Sequence, residues 1–132
     1  MTKMMPFFMF TGNASEAIDF YVSTFSNAAI VRKSYHEEGE MKGKVMQAVF
    51  SINGQNIMCI DSPCVHAFTF TPSLSLYISF SSGEELERVF NALAVGGGVL
   101  MPLDAYPFSK KYGWVTDKFG VSWQLDLEPS SE

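Results

Sequence analysis

The sequence contains one helical pattern twice, with matching positions 68 residues apart. The first copy has apolar residues at Ile18, Tyr21, Val22 and Phe25, and the second has them at Leu86, Val89, Phe90 and Leu93. This i, i+3, i+4, i+7 spacing predicts an amphipathic helix in both places. Asn13 precedes the first run and Ser82 the second, each with a glutamate three residues later, which is the pattern of a capping box. Because one strand-like run precedes each helix and three follow it, the chain is predicted to form two β-α-β-β-β modules.

The strands are bounded by turn signals and alternating apolar residues. In the first module they are predicted at residues 6–11, 28–35, 44–52 and 56–61, with a helix that ends near Ser26 and Asn27. In the second module they are predicted at residues 74–81, 99–103, 112–118 and 121–127, with a longer loop at 104–111. Asn53-Gly54 and Phe119-Gly120 are hairpin signals. The 132-residue chain is therefore predicted to be one domain, with modules 1–61 and 74–127 joined by a linker at 62–73.

A site is predicted where the two sheets are not covered by helices. A single module cannot bury both faces of its sheet, so two modules facing each other are predicted to form a cup. Since side chains alternate along a strand, Trp123 and Leu125 are expected to face the helix and Gln124 the cup. The complete set predicted to face the cup is Pro6, Phe8, Phe10, Asn56, Met58, Ile60, Ser75, Tyr77, Ser79, Ser122, Gln124 and Asp126.

Composition excludes several classes of function. The net charge is −5 without a basic cluster, which argues against nucleic-acid binding. No apolar run is long enough to span a bilayer, and the N-terminus has no signal-peptide pattern, so a cytoplasmic protein without a membrane partner is expected. In a reducing compartment Cys59 and Cys64 are expected to be free thiols. Cys59 in particular is expected to be a buried structural thiol.

The paired modules resemble the vicinal-oxygen-chelate superfamily, and within it the PhnB-like group, also called the 3-demethylubiquinone-9 3-methyltransferase domain family. The residues that carry the resemblance are Phe10-Thr11-Gly12-Asn13-Ala14, Ala17-Ile18-Asp19-Phe20-Tyr21, Ile52-Asn53-Gly54-Gln55, Tyr106-Pro107-Phe108 and the stretch from Tyr112 to Gln124. The resemblance implies the α+β glyoxalase/bleomycin-resistance/dioxygenase fold, with a cup-shaped mixed sheet. It also implies a homodimer, because homodimers are usual in this superfamily.

The resemblance further implies where a metal would lie in related enzymes. Those enzymes carry one ligand on each of four strands, at positions that correspond to Pro6, Met58, Ser75 and Gln124. None of these residues is His, Asp or Glu, and Gln47 stands where relatives often have His, so no metal site is predicted. A nucleotide-type cofactor is not predicted either. Gly96-Gly97-Gly98 follows a helix and precedes a strand, which favours a helix stop over a phosphate-binding turn.

These observations leave three functional hypotheses. The first is a PhnB-like protein that binds a small molecule in the cup without a metal; whether it is also an enzyme stays open. The predicted ligand-binding residues are Phe8, Gln47, Met58, Ser75, Tyr77, Trp114 and Gln124, since small-molecule pockets are mostly apolar with a few polar groups. The alternatives are a metal-dependent lyase or isomerase like glyoxalase I, and an antibiotic-sequestering protein like the bleomycin-resistance proteins. Asp117 is expected to belong to the turn of the last hairpin.

Overall fold

A computed structural model describes residues 2–129 of the chain. The chain separates into two compact units that divide between Ala67 and Phe68, inside the predicted linker. Each unit contains one of the two predicted modules.

Both modules have the same element order and the same strand order. The first contains β1 (Phe7–Phe10), α1 (Ala14–Thr24), β2 (Ala28–Tyr35), β3 (Val45–Ile52) and β4 (Gln55–Asp61). The second contains β5 (Ser75–Phe80), α2 (Gly83–Ala94), β6 (Gly98–Tyr106), β7 (Ser109–Thr116) and β8 (Ser122–Leu127). The sheets have the orders β1-β4-β3-β2 and β5-β8-β7-β6, and the first pair of each is parallel. The predicted α+β fold with paired β-α-β-β-β modules is confirmed.

The repeated apolar positions form the helix side of the two cores. Ile18, Tyr21, Leu86 and Leu93 have no exposed surface. Tyr21 stacks on Phe50 of β3 at 5.7 Å between ring centroids. In the second module the backbone of β7 comes close to α2 at Gly113, where an added Cβ would lie 2.5 Å from the Phe90 ring. Each helix therefore covers one face of its own sheet and leaves the other face without a helix.

The helix caps differ between the modules. Ser82 Oγ accepts a hydrogen bond from Glu85 N at 3.3 Å, as predicted for the second helix. Asn13 is the N-cap residue of α1, as predicted, but its side chain makes no capping bond to the helix. Asp61, at the end of β4, takes that role instead and accepts hydrogen bonds from the backbone N–H groups of Gly12, Ala14 and Val45, each at 2.9 Å. One buried carboxylate thus joins the start of α1 to two strands.

The predicted face of β1 is also wrong. Phe8 pairs with Cys59 and Phe10 with Asp61 in the parallel ladder, and paired residues share a face. Phe8, Phe10 and Cys59 are all buried on the helix-covered side, while Phe7 is 54% exposed on the other. All four residues of β1 are apolar, so the sequence does not alternate and does not indicate which face is buried. Only the pairing register with β4 decides the face.

The predicted loop at 104–111 is a tight hairpin instead. Strand β6 continues to Tyr106 and β7 begins at Ser109, with a two-residue turn between them. Tyr106 packs on Phe108 and Tyr112, with ring centroids 5.8 Å and 5.6 Å away. The aromatic contacts stabilise a segment whose composition alone is typical of a loop.

The predicted hairpin at Asn53-Gly54 is confirmed, and both residues have positive φ angles of 54° and 86°.

Candidate functional site

The candidate site lies on the face of the second module's sheet that α2 does not cover, called here the helix-free face. In β8 the residues Ser122, Gln124 and Asp126 point to this face, opposite the buried Trp123 and Leu125. The ladders place Ser75 beside Ser122, Tyr77 and Trp114 beside Gln124, and Tyr112 beside Asp126. The face assignments predicted for β5 and β8 are therefore confirmed.

Four hydrogen bonds connect five side chains on this face into one chain. Trp114 Nε1 donates to Ser122 Oγ at 2.8 Å, and the hydroxyls of Ser122 and Ser75 are 2.7 Å apart. Gln124 Nε2 donates to Ser75 Oγ at 3.1 Å, and the Tyr112 hydroxyl donates to Gln124 Oε1. Gln124 is the link between the serine pair and the tyrosine, so its amide group is oriented at both ends.

This chain of hydrogen bonds has unused donors. The two serine hydroxyls have two protons, and the contact between them needs only one. The other serine proton has no acceptor among residues 2–129, and the Gln124 amide nitrogen uses one of its two N–H groups. Ser122 is buried and Ser75 is not, so when Ser122 donates to Ser75 the face can offer the Ser75 hydroxyl and the Gln124 amide, next to the ring of Trp114, to an acceptor atom of a ligand.

A second polar group lies at the end of β8. Asp126 accepts a hydrogen bond from Ser109 Oγ, and it lies close enough to the Tyr77 hydroxyl to affect its pKa. Beside Asp126 there is a cavity of 380 Å³ formed by the β6–β7 hairpin, the end of β8 and Pro129. The residues that line it are Ala105, Tyr106, Pro107, Phe108, Ser109, Lys110, Asp126, Leu127 and Pro129.

Two phenols and one buried thiol in these sheets, Tyr112, Tyr77 and Cys59, have raised pKa values. Burial raises the pKa of Tyr112, with a smaller effect from Tyr106. Burial and the charge of the nearby Asp126 raise the pKa of Tyr77. In the first module, burial raises the pKa of Cys59 to about 12. At neutral pH these groups act as hydrogen-bond donors or apolar filling, and none of them is a base or a nucleophile.

The predicted site residues separate into three groups. Ser75, Tyr77, Trp114 and Gln124 come together on the helix-free face of the second module. Met58 lies beside Val49 on the corresponding face of the first module's sheet, and Gln47, two residues before Val49, shares that face. Phe8 does not belong with them, because it is buried under α1.

Sequence reasoning missed two members of the hydrogen-bonded chain as site residues. Tyr112 had a usable signal, because it is two residues before Trp114 in the same strand and so shares its face. Ser122 was assigned to the correct face but not to the site. Its role depends on the indole of Trp114 on the neighbouring strand, and nothing in the local sequence indicates that contact.

The residues present do not fit a transition-metal site. Within residues 2–129, no three His, Cys, Asp or Glu side chains lie close enough together to hold a metal ion. The Gln124 amide, which is the one plausible oxygen ligand among the four positions, is already bonded to Tyr112 and Ser75.

Asp117 is bonded to Phe119 N, Val121 N and the Trp123 indole, which confirms the predicted turn role.

The repeated module defines the class of protein. A β-α-β-β-β unit present twice, with its first and last strands parallel, is the α+β fold of the vicinal-oxygen-chelate superfamily. The chain is similar in fold to a glyoxalase-related enzyme from Fulvimarina pelagi, with 18% identity, a TM-score of 0.63, and coverage of 97% of this chain and 90% of that one. At this identity the likeness concerns the fold alone.

The chain belongs to the 3-demethylubiquinone-9 3-methyltransferase family, whose model matches residues 2–126. It is 50% identical to a solved structure described as a putative 3-demethylubiquinone-9 3-methyltransferase, PhnB protein, from Bacillus cereus. That comparison has a TM-score of 0.92 and covers 96% of this chain and 100% of the other. Protein YjdN of Escherichia coli (strain K12) is 27% identical over 139 residues, which is 94% of each chain. Neither helix within residues 2–129 is long and apolar enough to cross a membrane.

Proposed function

We propose that this protein binds a small, neutral polar molecule on the helix-free face of the second module, and that it does so without a metal ion. The observation that carries the proposal is the hydrogen-bonded chain through Gln124. Its amide is fixed by Tyr112 on one side and Ser75 on the other, and it still has one free N–H group.

The chemistry of this face favours a ligand with an acceptor oxygen, such as a carbonyl or hydroxyl group. The unused amide N–H and the unused serine proton both need an acceptor, and the half-buried ring of Trp114 supplies apolar surface beside them. A preorganised donor pair next to aromatic rings is a common arrangement in small-molecule sites. A fixed amide also costs less side-chain entropy when a ligand binds.

The same face supports binding more than acid–base catalysis. Tyr112 and Tyr77 both have raised pKa values, so neither phenol is ionised at neutral pH. A general base needs a pKa near the working pH. The family is named for a methyltransferase, but the glycine-rich segment of this chain does not lie between a strand and a following helix. Gly97 instead donates to Ala94 O just after α2.

The proposal can be tested by nuclear magnetic resonance with a library of neutral carbonyl and hydroxyl compounds. Binders should shift the indole N–H signal of Trp114, which is bonded to Ser122. They should leave the indole signal of Trp123 unchanged, since that group is buried and bonded to Asp117. The two tryptophans thus provide a site probe and a matched internal control.

A variant and a metal titration complete the test. Gln124→Leu should weaken the same binders about two- to tenfold, as expected for the loss of one net hydrogen bond. If no compound moves the Trp114 signal, or if Gln124→Leu binds as tightly as the wild type, the proposal is wrong. Tight stoichiometric binding of Zn²⁺ or Ni²⁺ by the wild type would instead support the metal-dependent lyase or isomerase.

A further inference from the structure

The cavity at the β6–β7 hairpin has an unusual combination of side chains. It places one carboxylate, Asp126, beside the aromatic rings of Tyr106 and Phe108. Its volume of 380 Å³ lies within the range of small-ligand pockets, about 300–1,000 Å³. The cavity belongs to the second module alone, and it adjoins the hydrogen-bonded chain without sharing any of its five residues.

Asp126 has remaining capacity to accept hydrogen bonds. An ionised carboxylate has about four acceptor positions. Ser109 uses one of them, and the Tyr77 hydroxyl lies near the same carboxylate. In the described part of the chain no Lys or Arg forms an ion pair with Asp126. Its negative charge therefore lies beside neutral donors at the wall of a cavity.

The aromatic rings at this cavity are well placed to attract a cation. Phe108 is 64% exposed at the tip of the hairpin, and Tyr106 stacks on it with an angle of 13° between the ring planes. Ring faces attract positive charge through their quadrupole, and aromatic cages that bind quaternary ammonium groups use this attraction. A carboxylate and aromatic rings that line the same cavity are complementary to an organic cation. A polar site without such rings would not bind that cation.

Among residues 2–129, Lys110 is the one cationic side chain that lines the cavity. It is exposed, and the neighbouring Lys111 is paired with Glu87 of α2 at 3.2 Å. Lys110 can therefore compete with a bound cation for Asp126, but it forms no ion pair with that residue.

We infer that this cavity is a binding site for an organic ammonium group, with Asp126 as the counter-ion and Tyr106 and Phe108 as the aromatic wall. The site is separate from the one proposed around Gln124 and does not depend on it. The ligand class is a small substituted amine or quaternary ammonium compound.

The test compares choline with its neutral analogue 3,3-dimethyl-1-butanol, which has nearly the same shape without the charge. Titrations of labelled wild-type protein should show that choline binds at least about tenfold more tightly, because the neutral compound loses both the ion pair and the cation–π contact. Choline should shift the backbone N–H signals of residues 108–110 and leave the Trp114 indole signal in place. That readout separates this site from the one around Gln124.

Variants identify the groups responsible. Asp126→Asn should weaken choline about tenfold and reduce the preference over the neutral compound to the part that the aromatic rings supply. Phe108→Leu should weaken it several-fold, and Lys110→Gln should strengthen it. Asp19→Asn removes one equal charge from an exposed position on α1 and should change nothing, which controls for net charge.

Equal binding of the two probes by the wild type would overturn the inference. Unchanged choline affinity in Asp126→Asn would overturn it as well. If that variant does not fold, the comparison of probes in the wild type and in Phe108→Leu decides the question.

Discussion

Gln124 offers a sharp test of the hydrogen-bonded chain, because two substitutions of similar size should have different effects. In the wild type it accepts from Tyr112 and donates to Ser75. Gln124→Leu removes both bonds. Gln124→Glu keeps the acceptor for Tyr112 and replaces the donor with a second acceptor.

The serine pair can adapt to the glutamate substitution. Ser75 can rotate its hydroxyl to donate to the new carboxylate, and Ser122 can then donate to Ser75 while it still accepts from Trp114. Every polar atom of the chain then has a partner. We expect Gln124→Glu to change the free energy of unfolding by less than about 1 kcal/mol.

The leucine substitution has no such compensation. It removes two hydrogen bonds, each with a net contribution of about 0.5–1.5 kcal/mol. It also leaves the hydroxyl of Tyr112, a residue that is only 4% exposed, without its acceptor. We expect a loss of about 1–3 kcal/mol.

Urea unfolding at pH 7 measures both values. Gln55→Leu is a suitable control, because Gln55 is exposed and, within the described residues, its side chain bonds only to the neighbouring Asn56 carbonyl. It should change the stability by no more than about 0.5 kcal/mol. Equal losses in Gln124→Leu and Gln124→Glu would refute the reasoning, because they would mean that the serine hydroxyls cannot reorient.

Three further predictions concern the rest of the molecule. Asp61→Asn should lower the free energy of unfolding in urea by about 3 kcal/mol or more, because a buried carboxylate with three backbone donors is replaced by an amide that repels one of them. The control Asp104→Asn, at an exposed position, should lower it by under about 0.5 kcal/mol. The raised pKa of Cys59, about 12 against 9.0, stabilises the fold fully below pH 9 and loses its effect as the pH rises towards 12. Unfolding free energies over that range should therefore fall less steeply in Cys59→Ala, and an unchanged slope would count against this cause. The protein is expected to be a homodimer, since the edge strand β2 exposes Ile30 and Val31, and a monomer mass in light scattering at micromolar concentration would contradict this.

The local elements of this fold follow from short-range patterns in the sequence. Helix spacing identified seven apolar residues of α1 and α2 and Phe25 directly after α1, and seven of these eight residues are buried. Alternation identified the two faces of β8, where large apolar and polar residues take turns. These signals are local, because a helix or a strand with one buried face imposes a period of its own on the sequence.

The tertiary structure decided everything that depends on a partner distant in the chain. The face of Phe8 is set by its register with Cys59, since four apolar residues in a row are compatible with either face. The cap of α1 comes from Asp61, 47 residues after the helix residue Ala14 that it holds, while the nearer Asn13 fits the local rule and is not used.

The candidate site shows the same division. The sequence placed Ser75, Tyr77 and Gln124 on one face, because strand alternation is local information. Only the pairing of β5, β7 and β8 brought the Trp114 indole to Ser122 and the Tyr112 hydroxyl to Gln124. A hydrogen bond needs two atoms within about 3 Å. Distances of that size between separate strands are set by the register of the sheet, and no local pattern in the sequence specifies them.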